Sequence, residues 1–145
     1  MEMGQNTPYK QVDELPANEF LNLEGRQFSK SEGWTIDLVE FFNHFTADQI
    51  RYVIAANAPE NQDSEFTWRD FQTRCNSELL GKYGNFANRT LVFIQKETGG
   101  TIPAKGGVDT EFLGRIRKLA EEAAIAYSQF HLRKAAALIM EIAQA

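Results

Sequence analysis

From residue 68 to residue 93, Trp68, Phe71, Cys75, Leu79, Tyr83, Phe86, Thr90 and Phe93 follow one another at steps of three or four. That spacing keeps one face of an α-helix apolar for about 30 residues, or about 45 Å at 1.5 Å per residue. A helix of such length has to lay its stripe against other elements, so the chain is expected to be mainly α, with this helix at the centre of a bundle. Thr67 is placed to cap its start and Gly99-Gly100 to stop it. Gly81 and Gly84 interrupt it, each at about 1 kcal/mol relative to Ala, so either something packs closely there or the helix bends, and close approach of another helix is the expected reason.

Further helices follow the same logic. Leu38, Phe41, Phe42 and Phe45 after Asp37 predict a short amphipathic helix, and Thr46 with Gln49 three residues on predicts a capping box for a helix using Ile50, Val53 and Ile54. Pro59 lies beyond the end of that helix, and residues 60–65 read as a polar connector. Pro103, Gly106 and Gly107 predict a loop. Asp109 or Thr110 then caps a helix built on Phe112, Leu113, Ile116, Leu119, Ala123 and Tyr127. Leu132, Ala135, Ala136, Ile139, Ile142 and Ala143 make the last pattern, which reaches the end with no stop signal. The helices starting near Thr67, Asp109 and Leu132 are expected to pack as an antiparallel bundle. The first 25 residues, with Gly4, Pro8, Pro16 and Gly25, lack a helical period. Phe20, Leu21 and Leu23 read there as one short strand whose partners would lie upstream of the chain, so the sequence is expected to be an excerpt of a longer one.

With 145 residues, 43% of them hydrophobic, there is material for one core and no room for two enzyme domains. No apolar run approaches the length of a membrane span, and the start, Met1-Glu2-Met3-Gly4-Gln5-Asn6, has no basic segment followed by an apolar one, so a cytoplasmic protein without membrane contact is expected. The single Cys75 reads as a small core residue. His44 and His131 lack His or Cys partners at ligand spacing, and no metal site is expected in this chain. The net charge is −5, yet it is divided unevenly: residues 66–134 carry 11 basic against seven acidic side chains. A local positive potential can draw phosphate to an acidic protein, because charges are screened beyond about 10 Å. Arg115, Arg117, Lys118, Arg133 and Lys134 are candidates for RNA backbone contact, against the plainer reading of helix-surface charge.

Gln27-Phe28-Ser29-Lys30-Ser31, followed by Glu32-Gly33, offers two hydroxyls and one long cationic arm beside a glycine, the parts needed to hold a polyphosphate. In order along the chain stand Pro16-Ala17-Asn18-Glu19-Phe20, Leu23-Glu24-Gly25, this loop, Asn43-His44-Phe45-Thr46-Ala47-Asp48-Gln49-Ile50-Arg51-Tyr52 and Asn85-Phe86-Ala87-Asn88-Arg89. The series resembles the class I aminoacyl-tRNA synthetases, their methionyl branch in particular, and the loop is similar to that family's KMSKS signature. Gln27 stands where the signature has its first Lys, Phe28 where it has Met, and Glu32 where Arg often follows, so the loop carries less positive charge. The second Lys is kept as Lys30.

The resemblance implies a division into residues 1–65, the end of a catalytic domain with its signature loop and stem-contact helices, and residues 66–145, a truncated anticodon-binding helical bundle. It implies that the parent enzyme activates methionine with ATP and magnesium and attaches it to its tRNA. Gln27, Phe28, Ser29, Lys30 and Ser31 would then close over the ATP phosphates, with Lys30 catalytic, and Asn85 and Arg89 would face the anticodon. Read without the family, Asn85 and Arg89 are four residues apart on a solvated stripe with a Glu78 to Lys82 ion pair. No HIGH-type motif is present, so the chain alone is not expected to be active, and whether the parent holds zinc is left open. The competing readings are a stand-alone helical RNA-binding or protein-interaction module, and a synthetase of the same class for another amino acid.

Overall fold

The computed structural model describes residues 12–102, 104 and 106–145. Residues 1–11, including Gly4 and Pro8, and Pro103 lie outside the described residues, as do the expectations placed on them. Mainly helical structure is observed, with one small sheet. Among the described residues no helix is long and apolar enough to cross a membrane.

The sheet corrects the reading of an orphan strand. Strand β1 (Leu21–Leu23) pairs antiparallel with β2 (Arg26–Gln27) and parallel with β3 (Ser64–Phe66), in the order β2-β1-β3. Both partners are downstream, and β3 begins inside the stretch read as a polar connector. Two-residue β2 is too short to show alternation, and only Phe66 of β3 is buried. Neither strand therefore had a period to read. The β1–β2 turn holds Glu24 and Gly25 at φ 48° and 79°, the left-handed pair that a two-residue hairpin requires. Glu24 tolerates this because its N–H donates to the Phe66 carbonyl at 3.0 Å and its carboxylate accepts the Trp68 N–H at 2.8 Å.

Between β1 and β3 run α1 (Leu38–His44), capped by Asp37, and α2 (Ala47–Ala56), whose Thr46–Gln49 capping box is formed reciprocally. Leu23, Phe41, Ile50, Val53, Phe66, Phe71 and Cys75 make the core. Cys75 is thus the buried small residue it was expected to be, and burial pushes its thiol pKa up. Trp68 covers one side of the core, its ring edge-on to Phe41 and Phe66 at 5.5 and 5.4 Å.

The long helix is continuous but not uniform. It begins as α3 (Trp68–Thr73), widens to a π-helical stretch at Arg74–Gly84, and resumes as α4 (Asn85–Thr98) before Gly99 ends it at φ 65°. Widening to the i to i−5 pattern rotates later residues away from the stripe predicted with a 3.6 period. Phe71 and Cys75 are buried and Leu79 packs on the core, whereas Tyr83, Phe86 and Phe93 are exposed, Phe93 at 65%. The glycines are explained by the same feature rather than by a neighbouring helix. A Cβ on Gly81 would stand 3.1 Å from the Asn76 carbonyl oxygen, and one on Gly84 3.2 Å from that of Leu79. Each is the carbonyl five residues back, brought close by the wide turn.

Helices α5 (Thr110–Ser128) and α6 (Leu132–Ile142) form a hairpin closed on Ala123, Ala126, Ala135, Ala136 and Met140. Asp109 caps α5 by accepting the Phe112 N–H at 2.9 Å. Helix α6 seats chiefly on α2 and only lightly on the π-helical stretch, of which α4 is the direct continuation. The helices expected to bundle do meet, α5 and α6 as a hairpin and α6 against the long helix, with the larger seat of α6 on α2. Glu60, in the connector, fastens this arrangement by accepting the Arg133 backbone N–H at 2.8 Å.

Candidate functional site

The 27–31 stretch is a second hairpin. Gln27 ends β2, Phe28 follows, and Ser29 and Trp34 exchange backbone hydrogen bonds at 3.0 and 2.9 Å. Lys30, Ser31 and Glu32 lie in the turn, and Gly33, at φ 69°, donates its N–H to the Lys30 carbonyl at 3.2 Å. The Ser29 and Ser31 hydroxyls face each other at 3.2 Å, so both oxygens sit on one side of the turn. The hairpin is strapped by Trp34, whose indole N–H donates to the Leu23 carbonyl at 2.9 Å, and by Arg26, stacked over the Trp34 ring at 4.8 Å. Arg26 also pairs with Glu32 at 2.9 Å. The acid at position 32 therefore spends its charge on Arg26 and leaves Lys30 as the turn's unpaired cation among the described residues. Beside the turn, Lys30 and Phe28 line an apolar groove with Ile36, Leu38 and Ile54.

Asn85 and Arg89 open α4 and are exposed. With Lys82, Phe86 and Thr90 they line a groove of about 430 Å³ that faces the C-terminal residues Ala143, Gln144 and Ala145. The signature loop and this groove share no lining residue, so the two sets of candidates stand as separate surfaces. The expected Glu78 to Lys82 pair is absent among the described residues, because the wide turn points Glu78 toward α2 instead. There Glu78 accepts the Tyr52 hydroxyl at 2.6 Å and lies 3.6 Å from Arg74, which in turn holds Asp70 at 2.7 Å. Burial first, and then the Glu78 hydrogen bond, push the Tyr52 pKa well above the usual phenol range. Burial pulls Arg74 down, but the Asp70 hydrogen bond and the charges of Asp70 and Glu78 outweigh it and hold the guanidinium above its ordinary value. This network links α2 to the long helix across 26 residues and gave no local sequence signal.

Replacing Tyr52 by Phe is expected to destabilise the fold by about 1 to 2 kcal/mol at neutral pH, the scale of a hydrogen bond to a charged acceptor with one partner left. A raised pKa in the folded state means stability that is complete below the ordinary phenol value and is lost as pH rises through the raised one. Urea unfolding above about pH 10 should thus show wild type converging on Tyr52→Phe; a constant gap between the two would refute the linkage.

His44 lies edge-on to Phe45 at 6.4 Å, and the carbonyl of His131 accepts the Ala135 N–H. Among the described residues no three His, Cys, Asp or Glu side chains converge as a metal site.

The family described as tRNA synthetases class I (M) matches residues 1–91. The chain belongs to the class I tRNA synthetases (M). Its relatives in that family include the methionine-tRNA ligase of Protochlamydia amoebophila, 62% identical over 99% of this chain and 21% of the relative. The methionine-tRNA ligase of Chlamydia muridarum is 53% identical over 99% of this chain and 26% of its own length. Among solved structures, Mycobacterium tuberculosis methionyl-tRNA synthetase in complex with methionyl-adenylate superposes with a TM-score of 0.78 at 27% identity, covering 88% of this chain and 26% of that one. The chain thus spans only about a fifth to a quarter of the class I synthetases it matches.

Proposed function

We propose that this chain serves a methionine-tRNA ligase, supplying the loop that closes on ATP phosphates and a surface that reads the anticodon. The observation that carries the reading is the 62% identity, along 99% of the chain, to a protein of that activity. The likeness to a synthetase solved with methionyl-adenylate supports it. In this reading residues 1–65 complete the catalytic region and residues 66–145 form the anticodon-binding part.

The reaction joins the methionine carboxylate to the α-phosphate of ATP and expels pyrophosphate, and the aminoacyl group then passes to tRNA. Negative charge moves onto the departing phosphates in the first step. Lys30, on a hairpin turn whose ends are fixed by the Ser29–Trp34 bridge, meets that charge as a preplaced donor, while the Ser29 and Ser31 hydroxyls donate to phosphate oxygens. Gln27 and Phe28 set the position of the turn. The chain's own residues are assigned to the phosphates and none to the accompanying magnesium.

Asn85 presents both a donor and an acceptor, and Arg89 a planar fork that stacks and donates, which suits unpaired bases. Phe86, half-exposed between them, offers an aromatic face in the same groove. In a full-length ligase carrying this chain, Asn85→Ala or Arg89→Ala should cost about 1 to 3 kcal/mol in kcat/KM for tRNA, the scale of a bidentate base contact. Adenylate formation should be unchanged. Charging is compared for tRNAs with the CAU anticodon and with single-base changes. If Arg89→Ala keeps the wild-type preference between them, Arg89 does not read a base.

A further inference from the structure

A separate cleft, of about 440 Å³, opens where α2, the π-helical stretch and α6 meet. Its walls carry Arg74, Lys82, Arg133 and Lys134 together with Tyr52 and Glu78. Residues far apart in sequence thus bring four cations and one carboxylate to a single cavity. The carboxylate is already committed, to the Tyr52 hydroxyl at 2.6 Å and to Arg74 at 3.6 Å. Among the described residues Lys82, Arg133 and Lys134 enter no ion pair. Cations gathered without partners repel one another, and they create a local positive potential that an anion relieves. The Glu60 carboxylate already occupies the N-terminal turn of α6, so an anion in the cleft would be met by these side chains rather than by helix amides. Lys82 also lines the groove of Asn85 and Arg89. Cleft and groove therefore have Lys82 as a common wall.

We propose that this cleft holds the phosphodiester backbone of the RNA strand whose bases enter the Asn85 and Arg89 groove, with Lys82 at the junction and Arg133 and Lys134 as further phosphate contacts. The inference rests on the RNA-binding reading above and deepens it. Such contacts position a strand without reading its sequence. They account for the placement of Arg133 and Lys134 on the face of α6 next to the long helix, where solvated surface charge would have no reason to cluster.

The test titrates a full-length ligase carrying this chain at low and rising salt with two labelled RNA stem-loops, one displaying CAU and one with a single base changed. The variants are the triple Lys82→Gln, Arg133→Gln, Lys134→Gln and the double Asn85→Ala, Arg89→Ala. The triple variant is expected to bind both RNAs about tenfold or more weakly and to lower the log-log salt slope by about 2, at about 0.7 per single-strand phosphate contact. Its preference between the two RNAs should be that of wild type. The double variant should lose that preference and keep the slope. An unchanged slope in the triple variant overturns the cleft assignment, as does failure of wild type to bind either RNA in low salt. Inorganic phosphate displacing the RNA more than chloride of equal ionic strength would mark a free-anion pocket and overturn it too. If the double variant keeps the preference, base reading by Asn85 and Arg89 falls, and the slope of the triple variant still decides the cleft.

Discussion

Phe71→Ala is expected to destabilise the chain by about 3 to 5 kcal/mol, the range for emptying a buried aromatic site. The ring is 3% exposed and lies between Phe45 at 4.7 Å, Phe41 at 5.5 Å and Phe66 at 5.8 Å. These rings come from α1, its C-cap and β3, so the cavity would open where helix, loop and sheet meet, and no single element could collapse to refill it. At about 2 cal/mol/K per residue of unfolding entropy, the loss corresponds to about 10 °C or more in Tm. Thermal unfolding followed by circular dichroism checks this. Phe93→Ala is the control: it lies on the same sequence stripe but is 65% exposed, and it should change stability by less than about 0.5 kcal/mol. Equal losses at the two positions would contradict the widened helix, since a uniform 3.6 period would bury both.

Lys30→Ala, in a full-length ligase carrying this chain, is expected to slow methionyl-adenylate formation by about 10²-fold or more, the usual scale for removing a preplaced transition-state donor. Methionine binding should hardly change, because the loss falls on charge that develops only as pyrophosphate departs. ATP–pyrophosphate exchange reads the first quantity and equilibrium binding of methionine the second. Gln27→Lys should be neutral or mildly activating. Position 27 ends β2 and is exposed, so a cation there adds attraction for phosphate without disturbing the Ser29–Trp34 bridge. Unaltered exchange in Lys30→Ala would return the turn to an ordinary hairpin. Stability should be untouched in both variants, which separates a lost contact from a lost fold.

The helix caps were legible from the residues alone. Thr46 with Gln49 and Thr67 cap where their side chains and the following apolar spacing place them, and of the two candidates Asp109 and Thr110 it is Asp109 that caps α5. Capping is a contact between residues three apart, and a sequence displays it directly. The ordered series that places the chain among the class I synthetases was legible too, as was the buried Cys75. What the residues could not show are the contacts between segments. Strand β1 found its partners at Arg26–Gln27 and Ser64–Phe66, stretches too short or too polar to carry an alternating pattern. The π-helical widening turned Tyr83, Phe86 and Phe93 outward and sent Glu78 to Tyr52 rather than to Lys82. One extra residue per turn changes which side chains are neighbours, and that choice depends on what packs against the helix, not on its own spacing. The docking of α6 on α2 brought Arg133 and Lys134 beside Lys82, because juxtaposition across 50 residues is set by the tertiary packing of apolar faces and leaves no trace in local order.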